Sequence, residues 1–207
     1  MAAGAAERSG GGRPPSPRTR LVDAALELFG TQGYEATSIG ALCRQAKVST
    51  RDFYRHVGDR MQLFMRVFER EIDRVLGPVA AAMDEAEPVW SVRARVWADH
   101  WMRTVLEDRR RYRILYTEAI GVNPDLDRRR REVLHSSCAL CARQLHLCAE
   151  ARGESRPEGY YELAGVAVMG AAREVLMQVI EEQVSVVDPE VVLDAVVHLA
   201  TMLGEGW

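Results

Sequence analysis

The sequence predicts an all-α protein of about nine helices, and three observations support that prediction. Apolar residues recur at three- and four-residue spacing along most of the chain, which is the period of an amphipathic helix. Ser, Thr, Asp and Pro stand where these segments begin, and Gly or Asn-Pro stands where several of them end. The one competing β-branched run, Val184–Val187, is too short and isolated to indicate a sheet.

The N-terminal part divides into an arm and three short helices. Residues 1–16 are Gly, Ala, Ser, Pro and Arg without apolar periodicity, which predicts a disordered basic arm. A helix is predicted to begin at Pro17 and to end at Gly30 and Gly33. Thr37 is expected to cap the second helix.

Ser49 and Asp52 have the spacing of a capping box, which predicts the start of a third short helix. Gly58 breaks the chain, and Asp59 is expected to cap a long fourth helix. The remaining chain predicts five more helices, which occupy residues 88–107, 109–120, 125–152, 158–183 and a last segment opened by Asp188 and Pro189.

Composition narrows the class of protein. A chain of 207 residues with 47% hydrophobic residues can bury one substantial core. The N-terminus lacks the apolar segment of a secretory signal, and we find no apolar run near the length of about 18 residues typical of a membrane span. We therefore expect a cytoplasmic protein without a membrane partner. The net charge is −3, but residues 1–60 carry nine Lys/Arg against six Asp/Glu, so a basic N-terminal part precedes an acidic body.

Two short capped helices with a tight link predict a helix-turn-helix, the motif that lays its second helix in the DNA major groove. On a helical wheel of residues 50–56, Phe53 points inward, whereas Thr50, Arg51, Tyr54 and Arg55 point outward. An arginine can bind guanine through two hydrogen bonds, and Thr or Tyr can contact bases or phosphates. The first turns near Ser38 and Thr50 also offer backbone N–H groups to phosphate. The alternative is an ordinary surface helix with solvated charges.

Residues from Arg18 to about Phe68 resemble the DNA-binding domain of the TetR (tetracycline-repressor-like) family of bacterial transcriptional regulators. The matching residues are Ala24, Ala25, Leu28, Phe29, Gly33, Thr37, Ala46, Val48, Ser49, Phe53, Tyr54, His56, Arg60 and Leu63. The resemblance implies a homodimer that binds double-stranded operator DNA and a small-molecule effector.

The resemblance also implies site residues. It implies phosphate contacts by Tyr54, His56 and Arg60, a backbone contact at Thr37, and base-facing positions at Thr50, Arg51 and Asp52, although Asp52 is expected to serve mainly as a cap. We predict the DNA-binding set Thr37, Ser38, Ser49, Thr50, Arg51, Tyr54, Arg55, His56 and Arg60.

Three positions depart from the pattern of the resembled family. Gly40 replaces a residue that is often basic, so base reading from the second helix is not expected. Lys47 stands where glycine commonly makes the turn, and it must either adopt a left-handed conformation or bend the turn differently. Val57 replaces an aromatic residue, which is a change in packing.

The body carries stripes of apolar residues that are typical of a core. Three of its tryptophans share one face and are awkward to pack densely, which leaves room for a cavity. Because the resembled family binds effectors among its middle helices, we predict an apolar or aromatic ligand near Trp97, Trp101, Tyr116 and Cys138.

The cysteines leave three interpretations open. Cys138, Cys141 and Cys148 share a helix face with leucines, which favours buried structural thiols. A redox-sensing thiolate, or a metal site that includes His135, is the alternative. We expect neither a metal nor a cofactor.

The last two helices are candidates for a dimer interface. Small residues at Ala164, Ala167 and Ala171 permit close approach, and the final helix adds Val192, Ala195 and Leu199. Such a pair suits a symmetric four-helix interface. The alternative is that both helices only close the core of one chain.

The sequence also predicts the environment of three groups of arginines. The runs Arg109–Arg111 and Arg128–Arg131 are expected to be solvated faces paired with the acidic body. Arg13, Arg18 and Arg20 are placed for an arm that enters the minor groove.

The sequence thus predicts a helix-turn-helix domain at residues 17–62 and an effector-binding and dimerisation domain at residues 63–207. The predicted function is that of a transcriptional regulator and not of an enzyme, and the resemblance implies repression as the family's commoner mode. Rival functions are an all-α enzyme or small-molecule-binding protein using Asp99, His100 or Glu118, and a protein-interaction or membrane-surface module.

Overall fold

A computed structural model describes residues 14–182 and 188–205, of which Glu205 is described by its backbone alone. Within these ranges the chain forms ten α-helical segments and one π turn, without strands. The helices are α1 Pro17–Gln32, α2 Ile39–Ala46, α3 Thr50–His56, α4 Arg60–Leu76, α5 Val79–Glu85, α6 Trp90–Leu106, α7 Arg109–Tyr112, α8 Pro124–Ala151, α9 Tyr160–Ile180 and α10 Pro189–Glu205, and the π turn Arg113–Thr117 continues α7. The all-α prediction is confirmed. Most of the predicted arm, including Arg13, and the run Val184–Val187 lie outside the described residues.

The first helix begins at Pro17 and ends at Gly33 as predicted, but Gly30 does not end it. Pro17 occupies the first turn, and the Ser16 hydroxyl accepts a hydrogen bond from the Thr19 N–H at 3.1 Å. Gly33 ends α1 with φ at 91°. Gly30 lies inside the helix and is buried, and a Cβ atom at this position would clash with the Cβ of Arg110. Gly30 therefore permits a close approach of α1 and α7, not a helix end.

Helix α5 is the segment that the apolar pattern did not predict. Its Asp84 accepts hydrogen bonds from Arg143 at 2.8 Å and from the Gln144 side chain at 2.7 Å, both on α8. Gln144 in turn accepts from the buried Arg93 of α6. These bonds satisfy polar groups that would otherwise be costly to bury, so α5, α6 and α8 are held together by a polar cluster as well as by apolar packing.

The largest helices pack together in the body. Trp90 of α6 is fully buried, and its indole N–H donates to the Ala200 carbonyl of α10 at 2.8 Å. Gly165 lets α9 approach α8, because a Cβ there would lie 2.5 Å from the Cys138 carbonyl oxygen. By length and composition alone α9 is apolar enough to cross a membrane, although only a third of its apolar window is buried in one chain.

Candidate nucleic-acid interface and internal cavity

Helix α3 presents a short polar face, and its start is locally fixed. The Ser49 hydroxyl accepts from the Asp52 N–H at 3.0 Å and donates to the Asp52 carboxylate at 2.7 Å, so the predicted cap is present. This hydrogen bond from Ser49 is the main cause that lowers the pKa of Asp52. The Phe53 side chain is fully buried beneath the helix. The opposite face is thereby held outward.

The side chains on the outward face of α3 differ in exposure and in whether another residue of the chain binds them. Arg55 is paired with Asp52 one helical turn away. Arg51 is exposed and forms no hydrogen bond or ion pair with any residue that the structure describes. Tyr54 is 53% exposed, and its ring packs edge-on against Phe53. Thr50 is also exposed. Arg51 and Tyr54 are consequently the groups most available to a duplex.

Two side chains predicted to contact phosphate, Arg60 and His56, have buried or internally bonded nitrogen atoms. The Nη1 of Arg60 donates to the carbonyls of Tyr34 at 3.2 Å and Thr37 at 3.0 Å. Its guanidinium lies 4.2 Å from the centre of the Tyr34 ring. The Nε2 of His56 is buried without a partner among the described residues. In this conformation Arg60 positions the 33–37 loop, and the His56 Nε2 faces the protein interior.

The structure differs from the prediction that Thr37 caps α2. Its side chain is fully buried, and its hydroxyl donates to the Gly33 carbonyl at 2.7 Å. The cap of α2 is Ser38, whose hydroxyl accepts from the Ala41 N–H at 3.2 Å. Thr37 therefore stabilises the loop, and Ser38, which is exposed, marks the accessible start of α2.

The three departures from the resembled pattern have clear structural outcomes. Lys47 adopts the left-handed conformation, with φ at 52°, so the turn is made without glycine. Gly40 is exposed, and a Cβ there would meet only side-chain atoms, the nearest being the Arg44 Nη1 at 3.5 Å. Val57 is 2% exposed and contributes to packing.

The π turn connects the body to the N-terminal domain. The Glu118 N–H donates to the Arg113 carbonyl at 2.7 Å, which is a five-residue step. In a regular α-helix, side chains five positions apart would point about 140° away from each other. Here the Arg113 Nε lies 2.9 Å from the Glu118 Oε1. The pair holds the N-terminal domain, because Glu118 accepts from the Tyr34 N–H at 2.7 Å and Arg113 donates to the Thr31 carbonyl at 2.6 Å.

A second polar connection surrounds Glu71 of α4, which is fully buried. Its carboxylate accepts from the Arg70 Nε at 2.9 Å and from the Arg111 Nε at 3.0 Å. Arg70 also pairs with Asp23 of α1. Thus α1, α4 and α7 share one charged cluster.

The two arginine runs are mostly paired with carboxylates, as predicted. Arg110 pairs with Glu27 and Asp108, and Arg129 pairs with Glu69. Arg130 differs from its neighbours, because it lines a cavity. Arg18 and Arg20 belong to the first turns of α1, so neither is part of a flexible arm.

A cavity lies among α4, α6, the π turn, α8 and α9, with about 700 Å³ of empty space that includes its opening to solvent. Trp97 and Trp101 form part of its wall, with their rings stacked 5.5 Å apart. The Trp101 indole N–H donates to the Tyr116 hydroxyl at 2.9 Å. Three of the four predicted ligand-binding residues therefore line one space. The lining also includes Phe68, Ile72, Val75, Leu76, Leu115, Arg130, Val133, Leu134, Ser137, Met169 and Arg173.

Cys138 is the predicted cavity residue that does not line the cavity. Ser137 and Leu134 take that place on α8, while the Cys138 backbone lies beneath Gly165. Burial raises the pKa of the Cys138 thiol and raises that of Cys141 to about 12. Raised pKa values disfavour the reactive thiolate, so they favour the structural interpretation of these cysteines over redox sensing. The described residues contain no cluster of three metal-binding side chains.

The predicted dimer interface also needs a correction. Ala164 and Val192 are 7% and 4% exposed, so they belong to the core of one chain and offer no surface to a second. Ala167, Ala195 and Leu199 are exposed, and Ala171 is half-buried. The larger exposed apolar side chains of α9 and α10 are Leu163, Val166, Val191 and Met202.

The residues considered for an enzyme are separated and engaged elsewhere. Asp99 pairs with Arg103, and Glu118 holds Arg113 and Tyr34. The His100 Nε2 lies 3.4 Å from the Arg74 carbonyl. None of the three candidates lines the cavity.

Comparison with known proteins identifies the N-terminal domain. Residues 21–67 match the family model described as bacterial regulatory proteins, tetR family. The chain is 30% identical over 82 residues to the HTH-type transcriptional regulator HbdR of Aromatoleum sp. (strain CIB), covering 39% of this chain and 36% of that protein. It is also 30% identical over 66 residues to the HTH-type transcriptional activator FasR of Mycolicibacterium smegmatis, covering 32% of this chain and 30% of that one. The matches thus span about a third of these curated relatives.

The similarity of fold extends over nearly the whole chain. The transcriptional regulator FadR of Bacillus subtilis, solved in complex with stearoyl-CoA, superposes with a TM-score of 0.74 at 15% identity. The superposition covers 91% of this chain and 98% of that one. Residues 21–67 thus match the tetR family of bacterial regulatory proteins, and the rest of the chain shares the fold of FadR.

Proposed function

We propose that this chain is a homodimeric transcriptional regulator of the bacterial cytoplasm, which binds a pseudo-palindromic operator and releases it when a small molecule enters the cavity. One observation carries the proposal: α3 exposes Arg51 and Tyr54 on a face that its cap and the buried Phe53 hold outward. Two such helices, related by a two-fold axis, can enter successive major grooves. Residues 17–62 are the proposed DNA-binding domain and residues 63–207 the proposed effector and dimerisation domain.

The dimer is supported by an exposed apolar face on α9 and α10. Leu163 is 73% exposed and Val166 is 56% exposed on α9, while Val191 is 57% exposed and Met202 is 55% exposed on α10. Large adjoining apolar surfaces on a soluble chain mark contact sites. A second copy applying the same two helices would form a four-helix interface.

Communication between cavity and DNA is proposed to run through the π turn. Leu115 and Tyr116 line the cavity, and the flanking Arg113 and Glu118 hold the 31–34 segment of the N-terminal domain. A ligand that displaces Tyr116 would shift these contacts and change the separation of the two recognition helices. Binding would then favour the conformation that fits the operator less well.

Repression is the proposed sign of regulation. FasR is named an activator, so the same kind of N-terminal domain also occurs in a protein of the opposite sign. Reporter transcription from the operator, with and without the chain, distinguishes the two: repression requires higher expression in its absence.

The DNA-binding proposal is tested by fluorescence anisotropy with DNA that flanks the coding region, over a range of salt concentrations. The chain should bind one segment tightly, and binding should weaken as salt rises. Arg51→Ala should cost about 1–3 kcal/mol on that segment and relax specificity at one base pair. Arg131→Ala, which removes an exposed arginine of α8, is the matched control and should leave binding unchanged. Equal losses for Arg51→Ala on every sequence would make Arg51 a phosphate contact, and no salt-sensitive binding to any segment would refute the proposal.

A further inference from the structure

The cavity is apolar except for a polar group of side chains at one part of its wall. Its apolar surface comes from α4, α6, α8 and α9, and includes Phe68, Trp97 and Met169. Arg130 of α8, Arg173 of α9 and Tyr116 of the π turn supply the polar atoms on which the argument depends. No Asp or Glu lines the cavity among the described residues.

Both arginines lack a partner within the described part of the chain. Arg130 and Arg173 form no hydrogen bond or ion pair there, and the Arg130 Nε is buried without an acceptor. The preceding arginines of the same run differ, since Arg128 pairs with Asp125 and Arg129 lies 2.6 Å from Glu69. Both arginines are half-buried, and taking part of a guanidinium out of water is costly unless an anion or hydrogen-bond acceptor meets it. The cavity therefore holds positive charge that the chain itself does not neutralise.

Tyr116 contributes a hydrogen-bond donor next to this charge. Its oxygen accepts the Trp101 indole N–H at 2.9 Å, and its own O–H has no acceptor among the described residues. Burial raises the pKa of Tyr116, while the positive charge of Arg173 acts in the opposite direction. The hydroxyl thus stays protonated at neutral pH and remains able to donate.

We propose that the effector is an amphipathic anion, whose acidic group is bound by Arg130, Arg173 and the Tyr116 hydroxyl and whose apolar body lies against Phe68, Trp97 and Met169. The proposal rests on the proposed function, in which this cavity is the effector site. It replaces the expectation of a merely apolar or aromatic ligand with a requirement for negative charge. A guanidinium binds a carboxylate or phosphate through charged hydrogen bonds, so the anion is either the carboxylate of a free acid or the phosphate of an acyl-coenzyme A ester.

The test compares ligands of the same carbon skeleton that end in either a charged carboxylate or a neutral hydroxyl. Octanoate, dodecanoate, hexadecanoate and naphthalene carboxylate are each titrated against the full chain beside the alcohol of the same skeleton, and hexadecanoyl-coenzyme A is a separate arm. Thermal shift and calorimetry give the Kd values. At least one anion should bind about tenfold or more tightly than its alcohol, because a lost charged hydrogen bond changes affinity by about that factor.

Variants then assign the charge to these side chains. Arg173→Met and Arg130→Met retain an unbranched apolar side chain and should each weaken anion binding about tenfold or more, with the alcohol unaffected. Arg131→Met changes an exposed neighbour on α8 and should leave both Kd values unchanged. If these variants lose the binding of the free acid, the bound anion is the carboxylate. If only the coenzyme A ester binds, and both variants lose that binding, the bound anion is one of its phosphates.

Three results would overturn the inference: equal affinity for acid and alcohol, equal weakening of both in the arginine variants, or no binding by any of these ligands. DNA binding is measured on the same preparations. Intact DNA binding with any of these three results leaves the regulator proposal standing alone, whereas charge-dependent ligand binding without any DNA binding supports the anion site and refutes the regulator.

Discussion

Glu118 offers a direct test of the contact between the body and the N-terminal domain. Its side chain is 15% exposed and makes two contacts, one with the Tyr34 N–H at 2.7 Å and one with the Arg113 Nε at 2.9 Å. Glu118→Ala removes both and leaves the Tyr34 N–H without an acceptor. The same residue closes the π turn through its backbone, which the substitution leaves in place.

The expected cost follows from the two contacts. A hydrogen bond between a charged group and a backbone N–H contributes about 1.5–3 kcal/mol. The ion pair with Arg113 adds less than about 1 kcal/mol, because the arginine side chain is 38% exposed and solvent screens the pair. We therefore expect Glu118→Ala to lower the free energy of unfolding by about 2–3 kcal/mol. For a chain of this length, that corresponds to a fall in Tm of roughly 4–12 °C.

The assay is thermal unfolding followed by circular dichroism, with operator binding measured with and without effector. Glu107→Ala is the matched control, since Glu107 is 70% exposed and lies 3.8 Å from its arginine partner. It should change stability by less than about 0.5 kcal/mol. In Glu118→Ala the effector should change operator affinity by a smaller factor than in the unaltered chain. A Tm equal to that of the control would refute the energetic reasoning, and an unchanged effector response would refute the proposed route through the π turn.

Four further substitutions and measurements follow from the structure. Gly40→Ala should stabilise the chain by about 0.5–1 kcal/mol in denaturant unfolding, because α2 has space for a Cβ there. Glu71→Ala should cost about 3–5 kcal/mol in the same assay, because it removes the buried carboxylate that Arg70 and the partly buried Arg111 share. Leu163→Glu should dissociate the proposed dimer in analytical ultracentrifugation at unchanged monomer helicity, since this exposed side chain has no place in the core of one chain. The Cys141 thiol should resist alkylation at mildly alkaline pH, as followed by mass spectrometry.

The resistance of Cys141 to alkylation follows from the pKa of its thiol, which burial raises from 9.0 to about 12 in the folded chain. The neutral thiol is favoured on folding, so its contribution to stability is complete below the unfolded pKa and is lost as pH rises toward the folded value. Alkylation as fast as in urea would contradict this. The other three predictions would be contradicted if Gly40→Ala lowered the free energy of unfolding, if Glu71→Ala left it unchanged, or if Leu163→Glu remained a dimer.

The sequence was informative where the interaction is local. The hydroxyl of Ser49 and the carboxylate of Asp52 are three residues apart, and the cap they form depends only on that spacing. The burial of Phe53 and the outward position of Arg51 follow from the helical period in the same way. The left-handed turn at Lys47 was one of two outcomes that the missing glycine allowed.

Contacts between distant residues are what the local pattern did not predict. Arg60 matches a phosphate-binding position, yet its guanidinium is held by carbonyls 23 and 26 residues earlier in the chain. Such pairings depend on how helices pack, which the local pattern does not encode. Arg130 and Arg173 were missed for a different reason. Arg130 shares a helix face with Val133, Leu134 and Ser137, a spacing that indicated a cavity-facing arginine, but it was grouped with an apparently solvated run.

The five-residue step at Arg113 has a consequence for the length of the chain. Deleting one residue from Arg113–Thr117 would restore a four-residue step and rotate everything after it by roughly 100°. Glu118 would then leave the side of the helix that faces Tyr34, although no contacting side chain had been replaced. Relatives shorter by one residue at this point would need a different means of holding the N-terminal domain, so segment length here is as informative as residue identity.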